Sequence, residues 1–457
     1  MNKRSFSGTK LYKIFLIIFL VLLSILPRSI EVLNGNSIFL LDQGRDYLAV
    51  KNIVVNHKLT LIGSEVGGGM AGIQGIFHGP FHFYFPAIPF ILFNGNPWGG
   101  TLLMFIFGLL TIGVGFIFGK RVFGTTIGGI CVSLLIAISP PLIAQSRFVW
   151  NPHPSSFFIL LVLYFTYLLY KRQKRYFFLV AFFAGFIYNF ETAIAAPISL
   201  TLLIYSVYLL KWSHIKHYFS LFGGFVMAYS PFFLFEFRHG FQGTKGVVSY
   251  LFHHTDNEKV SFIANHLGSF SLNFIDTFPK QLLFPATFFL VLYILAFFYF
   301  AYKEKRLPMR RFSLFLLLLI GITFVLISFV RSYVFPYYFI HLNFVYIFIF
   351  SYVLISAYKQ KRIRIWIVFT IFYLVFLTTA VINIAQTFQK DYKDYGGMVK
   401  VKGKLNAIDY IYRDARNSSF GLLIFSPPVY TYPYDYLIWW YGREKFGYIP
   451  HREKRGL

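Results

Sequence analysis

Runs of about twenty apolar residues recur along this chain, and between them come short polar stretches in which Lys and Arg collect. A helix rising 1.5 Å per residue needs about twenty such residues to cross the hydrocarbon core of a bilayer. The pattern predicts spanning helices over 11–30, 98–119, 125–144, 152–170, 176–190, 193–210, 218–235, 282–302, 312–330, 337–358 and 365–384. Eleven spans make an all-α polytopic membrane protein. Residues 176–210 are long enough for one tilted helix, but two helices meeting at Glu191 keep Lys211 on the same side as the other basic residues.

Orientation follows from charge. Residues 81–93 are apolar but short, and Pro86 and Pro89 interrupt them. Counted as a span, they move the basic clusters at 120–121, 171–175, 303–311 and 359–364 outside, against the bias of cytoplasmic loops toward Lys and Arg. Counted as a juxtamembrane helix on the outer surface, they leave every cluster inside. The second reading gives an N-terminus in, a C-terminus out, a large first outer loop at 31–97, a turn at 146–152 and a second outer loop at 236–281. The start resembles a signal peptide, but Pro27-Arg28-Ser29 offers no small-x-small cleavage site, so it reads as a retained first span.

The tail, 386–457, changes composition and reads as a small extracytoplasmic α/β segment. Leu405, Ile408, Ile411 and Tyr412 recur at helical spacing. Residues 420–425 read as a strand closed by Pro427-Pro428, and the aromatic end at 430–441 suits the membrane interface.

The composition agrees with a membrane class: 57% of residues are hydrophobic, 22% aromatic and only 13% charged. The excess of 43 Lys and Arg over 17 Asp and Glu invites a nucleic-acid reading. Here the basic residues sit in short runs between apolar stretches rather than on one folded face, which excludes it. With a single cysteine, Cys131, no disulfide forms within the chain.

Candidate chemistry collects at the outer ends. If 41–55 is helical, Asp42 and Asp46 are i,i+4 neighbours with Arg45 beside them. Two stacked carboxylates repel, so the pattern points either to a base that takes a proton from an acceptor hydroxyl, or to a solvated helix start with a capping Asp. Arg147 and Arg331, at span ends, are placed to meet a phosphate through the guanidinium fork, or to snorkel. Glu191 lies where a span ends and faces either a cavity or the surface. Tyr337 and Tyr338 follow Pro336 and read as a site wall or as belt aromatics. His253, His254, Asp256 and Glu258 lack the tight spacing of a metal site and read as solvated loop, and Gly67-Gly68-Gly69 lacks the strand and helix that frame a phosphate loop.

Asp42-Gln43-Gly44-Arg45-Asp46-Tyr47, just after the first span, resembles the Asp-Glu-x-Arg-Tyr signature of GT-C fold glycosyltransferases of family-39 type. These membrane enzymes include protein O-mannosyltransferases and lipid A aminoarabinose transferases. His78-Gly79-Pro80-Phe81-His82-Phe83-Tyr84 is similar to their His-Pro-Pro-Leu-x-Tyr-Trp segment on a juxtamembrane helix. Ser139-Pro140, Ser146-Arg147 and Asn151-Pro152 resemble their Ser-Pro, Ser-Arg, Asp-Pro series. Two positions depart from the family pattern: Gln43 stands for its Glu, and Asn151 for its Asp.

The resemblance implies transfer of a sugar from a polyprenyl-phosphate donor to a glycan, lipid or protein acceptor, outside a plasma or inner membrane. It assigns Asp42 as base with Arg45 and Asp46 beside it, and His78, Tyr84, Arg147, Asn151, Glu191, Arg331 and Tyr338 to substrate. One carboxylate activating a hydroxyl implies inversion at the sugar carbon. No cofactor is expected, and the two departures argue against a bridging divalent metal. The alternatives are a transporter or flippase of lipid-linked sugars and an inactive binder. A transporter should show repeated halves with broken helices and midplane acids, and neither pattern is present in the sequence.

Overall fold

The computed structural model describes residues 5–69, 75–170, 174–210, 215–252, 263–279, 286–330, 334–416, 419–425 and 430–451. The chain begins with α1 (Ser5–Asn34), α2 (Leu41–Val54), α3 (Phe81–Leu92), α4 (Pro97–Phe123), α5 (Thr126–Ile138), α6 (Pro140–Ala144) and α7 (Ser155–Tyr170). Then come α8 (Phe177–Phe186), α9 (Thr192–Leu210), α10 (Ile215–Arg238), α11 (Gln242–Phe252), α12 (Gly268–Thr277) and α13 (Ala286–Lys303). It ends with α14 (Leu307–Ser328), α15 (Ile340–Lys359), α16 (Ile363–Tyr392), α17 (Val401–Asp414), α18 (Tyr432–Leu437) and α19 (Arg443–Phe446).

Among the described residues, seven helices are long and apolar enough to cross a membrane: α1, α4, α9, α10, α14, α15 and α16. The other apolar helices, α3, α5, α7, α8 and α13, are shorter. The eleven stretches expected to span each carry one of these helices, and α3 is the short one set apart.

Local chemistry sets the breaks. Asn96 caps α4 by accepting from the Trp98 amide at 2.9 Å, with Pro97 in the first turn. Thr125 caps α5 in the same way, through Gly128. Pro140 and Pro141 stop α5 and open α6. At the far side of the turn, α8 tightens at Ile187–Asn189 and releases the chain at Glu191 before α9. The break expected at Glu191 is therefore present.

Basic turns meet at one end of the bundle. The Lys359 ammonium donates to the Phe123 carbonyl at 2.8 Å, and the Tyr205 hydroxyl to the Arg311 carbonyl at 2.9 Å. At the opposite end, Arg28 of α1 is buried and turns its guanidinium onto the carbonyls of Ala137 (2.8 Å) and Ile136 (3.2 Å). These are the last carbonyls of α5, left without partners by the proline break, and a cation answers both their lone pairs and the negative end of the helix dipole.

The residues form two cores. The larger fills the bundle, with Phe118, Phe312, Phe348 and Phe350 among its fully buried rings. The smaller packs α2 and α3 against the tail: Phe39, Tyr47, Val50, Phe90, Tyr436 and Leu437 are all buried in it. Ring centroids of Tyr47 and Tyr436 lie 5.0 Å apart, and those of Phe39 and Tyr436 5.9 Å.

The aromatic end of the tail is anchored from within, with Tyr436 and Leu437 fully buried against α2. Two expectations change. Residues 420–425 form no strand among the described residues; Gly421 makes one isolated parallel bridge, to His451, and a single bridge is not a ladder. The stretch 236–281 is not simply a loop. It carries α11 and α12, and Phe274 and Phe278 at the end of α12 are buried in the bundle core, stacked with Phe289 and Phe376.

Candidate active site

Helix α2 places its first turn at the end of the bundle opposite the basic turns. Leu40 precedes it without a side-chain cap, and Gln43 supplies one from inside the helix. The Gln43 Oε1 accepts from the Leu40 amide at 2.8 Å, and its Nε2 donates to the Val149 carbonyl at 2.9 Å. That double bond staples the start of α2 to the turn between α6 and α7. A glutamate here would lack the donor for Val149. The same logic holds at Asn151, whose Nδ2 donates to the Phe190 carbonyl at 2.8 Å and ties the turn to the break before α9. Both departures from the family signature are amides that donate to a backbone oxygen, which a carboxylate does not do.

Gly44 has a different task. A Cβ there would run into the backbone of Tyr432 and Pro433, so glycine lets α18 sit directly on α2.

Arg45 lies between the two aspartates. Its Nη1 is 3.1 Å from Asp42 Oδ1, and its Nε and Nη2 are each 2.8 Å from Asp46 Oδ1. The like charges expected to repel share one cation. Their surroundings then separate them. The Asp46 side chain is 6% exposed, and burial lifts its carboxyl to about 6, with Arg45 opposing the rise and Asp42 adding to it. Asp42 is 39% exposed, and its second oxygen accepts from the Trp150 indole at 3.0 Å. An oriented carboxylate with one open side can take a proton from a bound hydroxyl.

Trp150 continues the wall. Its ring meets Tyr337 edge-on at 4.7 Å, and Tyr337 meets Tyr338 at 4.6 Å. Both tyrosines lie within electrostatic reach of Glu191. Glu191 is buried, its Oε1 accepts from the Ala193 amide at 3.2 Å, and burial raises its carboxyl to about 7. Asp42, Arg45, Asp46, Tyr338 and Glu191 are therefore brought into one cluster. Trp150, which links them, was missed by sequence reasoning; the only signal was its place beside Asn151.

Other expected residues are placed in supporting positions. His78 is buried with Nδ1 3.2 Å from the Thr192 hydroxyl, and burial, then the charges of His82 and Arg45, hold it neutral, at about 3. His82 keeps its proton on Nδ1, which faces the carbonyls of Gly79 and Asn189 at 3.0 and 3.1 Å. Tyr84 donates to the Thr60 carbonyl at 2.8 Å and accepts from the Thr60 amide, so its hydroxyl pins the loop rather than facing that cluster.

Arg147 lies apart from this cluster. Its guanidinium pairs with both oxygens of Glu31 and with Asp391 Oδ2 at 2.6 Å, joining the ends of α1 and α16. With two carboxylates in place, a phosphate would have to displace one of them. Arg331, His253, His254, Asp256 and Glu258 lie outside the described residues. Among those described, no group of three or more His, Cys, Asp or Glu side chains comes together as a metal site.

Comparisons with known proteins bear on this arrangement. Residues 77–235 match the family model described as dolichyl-phosphate-mannose-protein mannosyltransferase, a segment that includes the His78 turn, α3, Trp150 and Glu191 but not Asp42. A search of curated proteins found no match to the sequence. Among solved structures, the chain is similar to ArnT from Cupriavidus metallidurans bound to undecaprenyl phosphate, with a TM-score of 0.58 at 12% identity, covering 96% of this chain and 89% of that one. The apo form of the same protein aligns with a TM-score of 0.56 at 13% identity, covering 97% and 90%. Residues 77–235 thus carry the sequence pattern of that mannosyltransferase family, and the chain as a whole has the fold of ArnT, the GT-C fold.

Proposed function

We propose that the protein transfers a sugar from a polyprenyl-phosphate donor to an acceptor hydroxyl on the extracytoplasmic face of the membrane, with Asp42 as general base. The observation that carries the reading is the unequal environment of the two α2 carboxylates: Asp46 is buried against Arg45, whereas Asp42 is held by Trp150 and Arg45 with a side left open. The undecaprenyl phosphate bound to the similar ArnT supports a prenyl carrier as the donor's lipid. An apolar groove of about 500 Å³ between α1 and α16, lined by Leu23, Leu26, Ile384 and Phe388, offers room for such a tail.

In this mechanism the acceptor oxygen attacks the anomeric carbon while its proton passes to Asp42. The bond from that carbon to the phosphate oxygen breaks, and its electron pair leaves with the polyprenyl phosphate. Attack opposite the leaving group inverts the carbon. Charge grows on the phosphate oxygens, so a guanidinium near them lowers the barrier. Arg45 is the cation already in the cluster, and Arg331 is proposed as the second. Trp150 and Tyr337 would flank the sugar, and Glu191 would meet its hydroxyls.

The test is transfer by purified full-length protein in lipid, from a panel of polyprenyl-phosphate sugars. Wild type should turn over at least one donor. Asp42→Asn should bind that donor with unchanged affinity and lose transfer by a factor of about 10²–10⁴, the usual contribution of a general base. Donor binding or movement without turnover by wild type would overturn the reading in favour of a carrier.

A further inference from the structure

We propose that a cleft at the far end of α2 binds saccharide and holds an acceptor glycan away from its reacting end. It measures about 450 Å³ and lies between the ends of α2 and α3 and the segment that leads into α19. That volume falls in the range of small-ligand sites, roughly 300–1,000 Å³. Twelve residues of α2 separate it from Asp42, about 18 Å at the helical rise, a distance that a short oligosaccharide spans.

The lining carries two kinds of surface. Phe90 and Trp439 are stacked at 6.2 Å with ring planes 15° apart, and the Lys51 ammonium and Arg443 guanidinium hold the Trp439 ring from 4.6 and 5.5 Å. Next to them Trp440 adds a third ring to the lining, 8% exposed. Asn94, Arg443 and Glu444 stand exposed at the rim, supplying an amide, a cation and a carboxylate.

Aromatic edges and faces suit the apolar C–H side of a sugar ring, while its hydroxyls each need a donor and an acceptor within reach. This rim has both. An acyl chain would leave these polar groups unmatched, and a lipid phosphate would meet Glu444 beside the cations. The acceptor role rests on the transfer reaction proposed above; saccharide binding at this cleft does not.

The test uses the full-length protein in nanodiscs, with chitotetraose, maltotetraose and cellotetraose as probes, followed by saturation-transfer NMR and calorimetry. At least one tetrasaccharide should bind wild type and Asp42→Asn equally. Arg443→Gln and Glu444→Gln, both at the exposed rim, should each weaken that binding tenfold or more with thermal unfolding unchanged. Binding by none of the three, binding indifferent to both substitutions, or phosphatidylglycerol retained in the cleft in place of sugar overturns the proposal. Failure of the transfer reading shows separately, as wild type that turns over no polyprenyl-phosphate sugar while still binding the tetrasaccharide.

Discussion

Single residues set the surroundings of the α2 carboxylates. Gln43 and Asn151 each donate to a backbone carbonyl. Gln43→Glu or Asn151→Asp should therefore cost stability, about 1–3 kcal/mol each for a lost bond and an unmatched oxygen, read as a lower unfolding midpoint. Asp42 and Asp46 already share Arg45, so chelation with EDTA should leave transfer unchanged; loss of activity on chelation would place a divalent ion in the donor's hold. Burial raises Glu191 from an ordinary 4.5 to about 7 and Asp46 from 3.8 to about 6. Between these values the folded chain keeps protons that the unfolded chain has released, so stability falls as pH rises through about 6 to 7. Glu191→Gln, which cannot ionise, should flatten that fall, measured as unfolding midpoint against pH. The roles of these residues were only partly legible in the sequence. The i,i+4 spacing put Asp42, Arg45 and Asp46 together, but which acid would be buried depends on Trp150 and α18, which arrive from distant parts of the chain.

Among elements, hydrophobic periodicity and prolines carried most of the information. The helices lie where the apolar runs predicted them, α3 is short because its run is short, and the break before α9 falls at Glu191. Partnerships between elements were not legible. Nothing in the local pattern of 432–437 says that it packs on α2, since an aromatic stretch suits a core and an interface equally. Gly44 was the one local trace, a small residue on the face that α18 covers. Gly44→Ala should push α18 away and weaken both unfolding midpoint and transfer. Tyr436→Ala, which empties the centre of the smaller core, should cost about 3–5 kcal/mol, seen in proteolysis of the tail before the bundle opens. Arg147 shows the opposite limit. Its sequence position at a span end fitted a phosphate ligand, yet Glu31 and Asp391 come from the far ends of two other elements to claim it.

At the scale of the whole molecule, the two ends of the bundle differ. The basic turns gather at one end, where Lys359 reaches Phe123, and the candidate site forms at the other. The bundle alone does not complete that site. Asn34, the last residue of α1, and Asn36, just past it, donate to the carbonyls of Asp391 and Asp394 at 3.1 and 2.7 Å, and the amide of Phe39 donates to the Val399 carbonyl. The first and last parts of the chain are thereby sewn together around α2. This sets a schedule for biosynthesis. The helix that carries Asp42 is among the first segments to leave the ribosome, while the wall that fixes it, Tyr436 and Leu437, is among the last. Until then α2 has one packed face and one bare one. On the function proposed above, a chain stalled before Tyr432 should sit threaded in the membrane with α2 half bare and transfer no sugar from the lipid carriers around it.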